Sequence, residues 1–208
     1  MLKYFTIFVR FFRSYKFSNI QQLRRIIRNE FVNFKKPQID KIRFLYVARI
    51  NPVKGINEFL KIFKNIKFDS ELSIIGKTNN LKHQRELKKI IKNAKNIKFS
   101  GYIDKRQDLI DAFDSHNILI LPSYTEGQPS VVDESLARRR PVIIFKDIAH
   151  IIKDRKGIFV SNRDIDSLSE TARFIIENYK KIQNEIEQNK FILEKEMFKQ
   201  ISEIIKSY

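Results

Sequence analysis

Short solid apolar runs alternate along the chain with segments whose apolar residues recur every three or four positions. The runs predict strands at Arg43–Arg49, Glu71–Ile75, Asn96–Ser100, Asn117–Leu121, Pro141–Phe145 and Gly157–Val160. Between them Ile56, Phe59, Leu60, Phe63 and Ile66 keep helical spacing, as do Leu87, Ile90, Ile91 and Ala94. Leu109, Ile110 and Phe113 predict a shorter third helix, and Val131, Ser135 and Leu136 a fourth. The strands do not alternate apolar with polar, which is the pattern of strands covered on both faces. Strands taking turns with helices therefore predict an α/β fold, a Rossmann-like parallel sheet with helices on both faces. From Asp164 to Tyr208 two further helices are expected. Asp164 or Asp166 caps the first, over an apolar face of Leu168, Ala172, Ile175 and Ile176. The second is rich in Lys and Glu, with Ile182, Ile186, Phe191, Phe198, Ile201 and Ile205 as its apolar contacts.

Composition narrows the classes. A chain of 208 residues, 42% hydrophobic with 18 Phe, can core one domain plus an appendage. It has no Cys, which excludes disulfides and thiolate metal sites and fits a reducing compartment. His83, His116 and His150 are scattered without metal-ligand spacing, so no metal is expected. No stretch approaches the ~20 apolar residues of a membrane span. The net charge of +17 is uneven: residues 1–40 carry nine Lys or Arg against Glu30 and Asp40. Such a field draws polyanions, whether nucleic acid, anionic lipid or a phosphorylated small molecule. Nucleic acid is not expected, because no nucleic-acid motif is recognisable. The first seventeen residues mix aromatics with cations and suit either an anionic membrane surface or packing against another domain. Arg10 and Arg13 break their apolar core, so a signal peptide is not expected.

Two loops carry the candidate chemistry. Ser123-Tyr-Thr-Glu-Gly-Gln-Pro-Ser-Val-Val-Asp-Glu134 lies between two apolar runs, which puts Glu126 just past a strand end and Glu134 about one turn into a helix. In an open α/β sheet, ligands bind outside the carboxyl ends of the strands. Carboxylates accept from paired hydroxyls, and the free N–H groups near Ser130 and Val131 attract an anion. A plainer reading is a first turn whose Asp133 and Glu134 suit the helix dipole. Upstream, Arg49 and Lys54 bracket the loop after the first strand, and Gly55 opens the next helix. Fixed cations there stabilise phosphate charge without a metal. Two readings stand for Gly76 and for Gly101-Tyr102-Ile103: close approach to a ligand, or an ordinary turn at a strand end.

Together, the Glu-x7-Glu string with its internal Gly-x-Pro and the Arg49-to-Lys54 element resemble retaining glycosyltransferases of family 4, which have the two-domain GT-B fold. The resemblance implies the donor-nucleotide half of such an enzyme, with residues 41–180 as the donor domain, 1–40 as a basic interdomain remnant and 181–208 as a C-terminal helix. It implies a UDP- or GDP-sugar as donor and no cofactor. Arg49, Lys54 and Glu126 would be the catalytic set, the first two on the diphosphate and Glu126 on the transferred sugar. Gly55, Gly76, Gly101, Tyr102, Ile103, Gly127, Gln128, Pro129, Ser130, Val131 and Glu134 would line the donor, with Glu134 on the ribose. The reaction implied is retaining hexosyl transfer to a hydroxyl acceptor, glycan or lipid-linked, in lipopolysaccharide or exopolysaccharide assembly. The setting implied is cytoplasmic or peripheral on the inner membrane face. The chain departs from the family pattern at Gln128, at Arg138-Arg139-Arg140 and at Asp147-Ile-Ala-His150. The triple Arg is expected to be a solvated helix end or a site for an acceptor's phosphate.

Residues Ile26–Val32 resemble the family's interdomain stretch, with Glu30 in place of a Gly. The tail resembles the family's C-terminal helices, which implies completeness at that end. Only about 25 residues precede the interdomain stretch, so the acceptor side is expected from a second chain or from sequence further upstream. The alternative is a non-catalytic nucleotide-sugar-binding module, or a fragment that needs a partner chain.

Overall fold

The structure, a computed structural model, describes residues 26–206 except Gln38 and Asn79. The aromatic and basic stretch 1–17 therefore lies outside the described residues, as do the side chains of Ile201 and Ile205. Six strands form one parallel sheet: β2 (Ile42–Val47), β3 (Ser70–Ile75), β4 (Ile97–Gly101), β5 (Ile118–Leu121), β6 (Val142–Phe145) and β7 (Ile158–Ser161). Their order is β4-β3-β2-β5-β6-β7, so the chain winds outward one way from β2 and then the other way from β5. That reversal leaves a crevice at the carboxyl ends of β2 and β5. Helices α1 (Ile56–Phe63), α2 (Leu81–Ile91), α3 (Arg106–Ser115), α4 (Ser130–Ala137) and α5 (Ile165–Glu177) flank the sheet.

Periodicity explains the packing. β5 and β6 are buried at every position, as their unbroken apolar runs demand. α1 buries Ile56, Phe59, Leu60 and Phe63, and Phe63 meets Phe44 of β2 edge-on at 5.7 Å. Phe59 reaches Phe145 of β6 at 6.4 Å, so aromatic rings join helix to sheet.

The first strand differs from expectation at its end. It stops at Val47, and Arg49 is an exposed loop residue. The tail differs more. Three helices replace the two expected: α5, α6 (Tyr179–Ile186) and α7 (Glu194–Lys206). Asp164 caps α5 by accepting from the Ser167 N–H at 2.8 Å. Phe191 packs against the core from the segment between α6 and α7, whereas Phe198 is 58% exposed. Two short strands, β1 (Ile26–Ile27) and β8 (Ile192–Leu193), pair in parallel apart from the main sheet. Their neighbour Phe31 is fully buried and stacks edge-on against Phe113 of α3 at 5.9 Å.

Candidate functional site

The loop after β2 is built as a rigid hook. Asn51 caps a single 3-10 turn, Pro52–Lys54, by accepting from the Lys54 N–H at 3.0 Å. Gly55 then turns left-handed at φ 65, and a Cβ there would lie 2.1 Å from the Pro122 carbonyl oxygen. Only glycine lets this loop sit so close to the loop after β5. The Tyr124 N–H donates to the Val53 carbonyl at 2.9 Å, and Arg163 ties down the β5 side by donating to the Pro122 and Ser123 carbonyls, both at 2.9 Å. The Arg163 guanidinium also lies 3.8 Å from the Tyr124 ring centroid.

This clamp brings Lys54 and Glu126 together, 72 residues apart in sequence. The ammonium lies 2.6 Å from Glu126 Oε1, and the pair is largely shielded, with side-chain exposures of 17% and 8%. Ser123 Oγ donates to the same oxygen at 2.7 Å. Both bonds use Oε1, so among the described residues Oε2 is left to accept from a ligand. His150 Nε2 lies 2.8 Å from the Glu126 carbonyl oxygen and holds the loop from the far side.

Arg49 lies in the loop that leaves β2, and the cavities it lines include neither Lys54 nor Glu126. Tyr46, buried in β2, donates its hydroxyl to the Arg49 carbonyl at 3.1 Å, which fixes the strand exit. Burial, and secondarily the nearby Glu126 charge, push the Tyr46 phenol far above its ordinary pKa, so it remains a donor. A cavity of about 480 Å³ opens beside Arg49, and Gly76, Tyr102 and Ile103 share its wall. Arg28, Lys77, Lys105 and Arg106 add positive charge to that wall, against Asp104. At Gly76 a Cβ would meet the Ala48 carbonyl oxygen at 2.0 Å, so glycine is needed where two strand exits touch. Gly101 has φ 72 with nothing near its absent Cβ, so backbone conformation alone selects it.

Helix α4 starts beside this crevice. Pro129 takes the cap position just outside the helix and supplies no side-chain acceptor. The N–H groups of Ser130 and Val131, at the first helical positions, have no intrahelical carbonyl to reach. Gly127 is exposed with open space around it, so the chain itself sets no steric demand for glycine there. Gln128 and Val131 are half-buried and Ser130 is exposed. Glu134 is half-buried, and its carboxylate makes no hydrogen bond or ion pair among the described residues. Burial raises its pKa, Arg28 pulls it back and Asp133 pushes it further up. Thus Arg28, which lines the cavity beside Arg49, also bears on Glu134. Among the described residues no group of acids and histidines could hold a metal ion.

The triple Arg is corrected. Arg138 and Arg140 are each only 1% exposed. Arg138 Nη2 binds both carboxylate oxygens of Asp114, and Arg138 Nη1 donates to the Glu30, Phe31 and Asn33 carbonyls. Arg140 donates to the carbonyls of Phe113, His116, Arg138 and Asp114. Neither a solvated end nor a phosphate site fits such saturated groups. A run of cations reads as surface because buried Arg is rare, and Asp114 is too distant in sequence to signal otherwise. Sequence reading also missed Ser123, His150 and Arg163, which act on the Glu126 loop. Arg163 lies two residues past the end of β7, a strand-end position that could have flagged it.

Residues 28–191 match the model of the family described as Glycosyl transferases group 1, and the chain belongs to that family. This corrects the expected assignment to family 4, since the matching model is that of group 1. A Haemophilus influenzae protein described as an uncharacterized glycosyltransferase is 24% identical over 151 residues, covering 69% of this chain and 42% of that protein. Among solved structures, sucrose-phosphate synthase from Thermosynechococcus elongatus superposes with a TM-score of 0.64 at 18% identity, over 82% of this chain and 46% of the other. Anabaena HepE in complex with UDP and glucose gives 0.63 at 16%, over 81% and 49%. The lipopolysaccharide outer core galactosyltransferase WaaB gives 0.58 at 20%, over 84% and 53%. These likenesses show the fold, a Rossmann-like parallel sheet flanked by helices as in GT-B glycosyltransferases. The chain spans about half the length of each.

Proposed function

We propose that the chain binds a nucleoside-diphosphate sugar in the crevice between β2 and β5 and serves as the donor half of a hexosyltransferase. One observation carries this reading: at the strand-order reversal, Lys54 and Glu126 come from two different loops to within 2.6 Å of each other. Family membership and the HepE complex with UDP and glucose support it. In this reading Arg49 and Lys54 take the diphosphate, with the Ser130 and Val131 N–H groups as auxiliary donors. A departing diphosphate gains negative charge, which fixed cations in a shielded crevice stabilise. Glu126 Oε2 accepts from a hydroxyl of the sugar while Oε1 stays with Lys54 and Ser123. Glu134 accepts from ribose hydroxyls, which offset its desolvation, and Gly76, Tyr102 and Ile103 take the base. No metal takes part in this scheme. The sugar passes with retention to a hydroxyl of a glycan or lipid-linked acceptor, held by residues outside this domain or by a second chain. Polysaccharide or lipopolysaccharide assembly on the cytoplasmic side of a membrane is the process this chemistry fits.

Calorimetric titration of UDP and GDP into the full chain tests the reading. Saturable binding of one nucleotide, weakened at least tenfold by Arg49→Ala, is the expected result. Absence of binding to either nucleotide, or equal binding by the variant, would overturn it. Sugar release from the matching donor, assayed with and without an acceptor-domain partner, then separates an enzyme from a binding module.

A further inference from the structure

The cations of this protein fall into two kinds. Arg138, Arg140, Arg155 and Lys54 are shielded and bonded. Those from Lys77 to Lys98 are not: Lys77, Lys82, Arg85, Lys88, Lys89, Lys92, Lys95 and Lys98 face Glu86 alone. All eight are exposed, and none forms an ion pair among the described residues. At 3.6 residues per turn, Lys82, Arg85, Lys88, Lys89 and Lys92 fall within about 120° of arc, opposite the buried Leu87 of α2. Like charges three and four residues apart destabilise a helix, so folding alone does not favour this stripe. Lysine on an edge strand discourages strand pairing, which accounts for Lys98 on β4 but not for α2. At the N-terminal end of the stripe, Leu81 is 67% and Tyr102 63% exposed. Lys77 sits 5.7 Å from the Tyr102 ring centroid, and both line a shallow cavity with Asn80 and His83.

We propose that the outer face of α2, with Leu81 and Lys77 at its leading end, docks on an anionic lipid surface. Seven of the eight cations are Lys, compact point charges suited to a diffuse anionic plane, whereas phosphate and base-edge readout favours Arg forks. An exposed Leu beside Lys is a side chain that enters a headgroup layer, with Leu81 67% exposed. Lys77 and Tyr102 also rim the cavity beside Arg49, so docking would set the crevice mouth against the bilayer. The proposal goes beyond the donor reading and stands without it, because the five cations of the α2 stripe are outside the crevice.

The test is co-sedimentation of the full chain with phosphatidylcholine vesicles, with and without phosphatidylglycerol, over a salt series. Binding only to the anionic vesicles, weakening as salt rises, is expected. Each cation near such a surface is worth about fivefold, so combined Lys82→Gln, Arg85→Gln, Lys89→Gln and Lys92→Gln should weaken binding at least tenfold, with the thermal midpoint and nucleotide titration unchanged. Leu81→Ser should weaken it a few fold without altering the salt dependence. The proposal is overturned if the wild type ignores anionic vesicles, or if the fourfold variant binds them as well as wild type. It is also overturned if a short DNA duplex binds more tightly than vesicles and loses binding in that variant.

Discussion

At its C-terminal end, α4 closes with its groups satisfied. Arg139 adopts φ 54, its N–H reaches the Leu136 carbonyl, and the Arg140 N–H reaches Ser135. That is the Schellman pattern, with arginine in the left-handed position that glycine usually holds. The flanking Arg138 and Arg140 side chains bind Asp114 and seven backbone carbonyls between them. At its N-terminal end the same helix has no side-chain cap, and the Glu134 carboxylate lacks a hydrogen-bond partner among the described residues. Neighbouring Asp133 shows that a paired arrangement was open to this turn, since it meets Arg155 in a buried two-pronged ion pair at 2.6 and 2.9 Å. A half-buried carboxylate without a donor, beside a neighbour that is fully paired, marks a place for a ligand's donor.

Breaking the satisfied end should have the largest effect. Arg138→Met leaves Asp114 buried without its main partner and strips the carbonyls of residues 30, 31 and 33 of their donor. Removing one member of a buried pair costs about 3–5 kcal/mol, so the urea midpoint should fall sharply. A loss below about 1 kcal/mol would mean that this cluster is solvated after all.

Opening the functional end should spare the fold. Lys54→Ala is expected to lower nucleoside-diphosphate affinity by about 1.5–3 kcal/mol, the range for hydrogen bonds to charged groups, with a smaller loss of stability than Arg138→Met because Ser123 still donates to Glu126. Calorimetry beside a thermal scan reads both. Equal losses in stability and affinity would make Lys54 a structural residue.

Glu134→Gln sharpens the contrast because its two effects should have opposite signs. Burial raises the folded pKa of Glu134. The stability gained by holding it neutral is therefore present below the ordinary carboxylate value of about 4.3 and lost as pH rises through the raised value. The variant should thus melt higher than wild type at neutral pH, converge with it in acid, and bind nucleotide more weakly. A lower neutral-pH midpoint would show that Glu134 has a stabilising partner.

The smallest effect belongs to Asp164→Ala on α5, whose capped N-terminus contrasts with that of α4. Loss of the bond to the Ser167 N–H should cost about 1 kcal/mol, measured by denaturation, with nucleotide affinity unchanged.

What could be read from the chain follows the range of each interaction. The six sheet strands and α1 to α5 were legible because periodicity is local, and Gly55 and Gly76 stood out because their type is unusual. β1 and β8 escaped because two-residue strands carry no period, and their partners lie over 160 residues apart. The tail read as two helices because Ile182 and Ile186, and then Phe198, Ile201 and Ile205, keep helical spacing, although the five-residue step from Ile186 to Phe191 falls where an irregular segment separates α6 from α7. Arg138 and Arg140 misled because a charge run looks solvated until its distant acceptors are known. Lys54 and Glu126 could be singled out, but not their 2.6 Å contact, which depends on strand order.

Backbone amide shifts measured by NMR during a titration with UDP and then GDP test the central claim most directly. The account predicts saturable shifts at residues 49–55, 76–77 and 126–131, with the α4–α3 cluster around Asp114 unmoved. Shifts confined to the lysine face of α2, or no saturable response to either nucleotide, would contradict it.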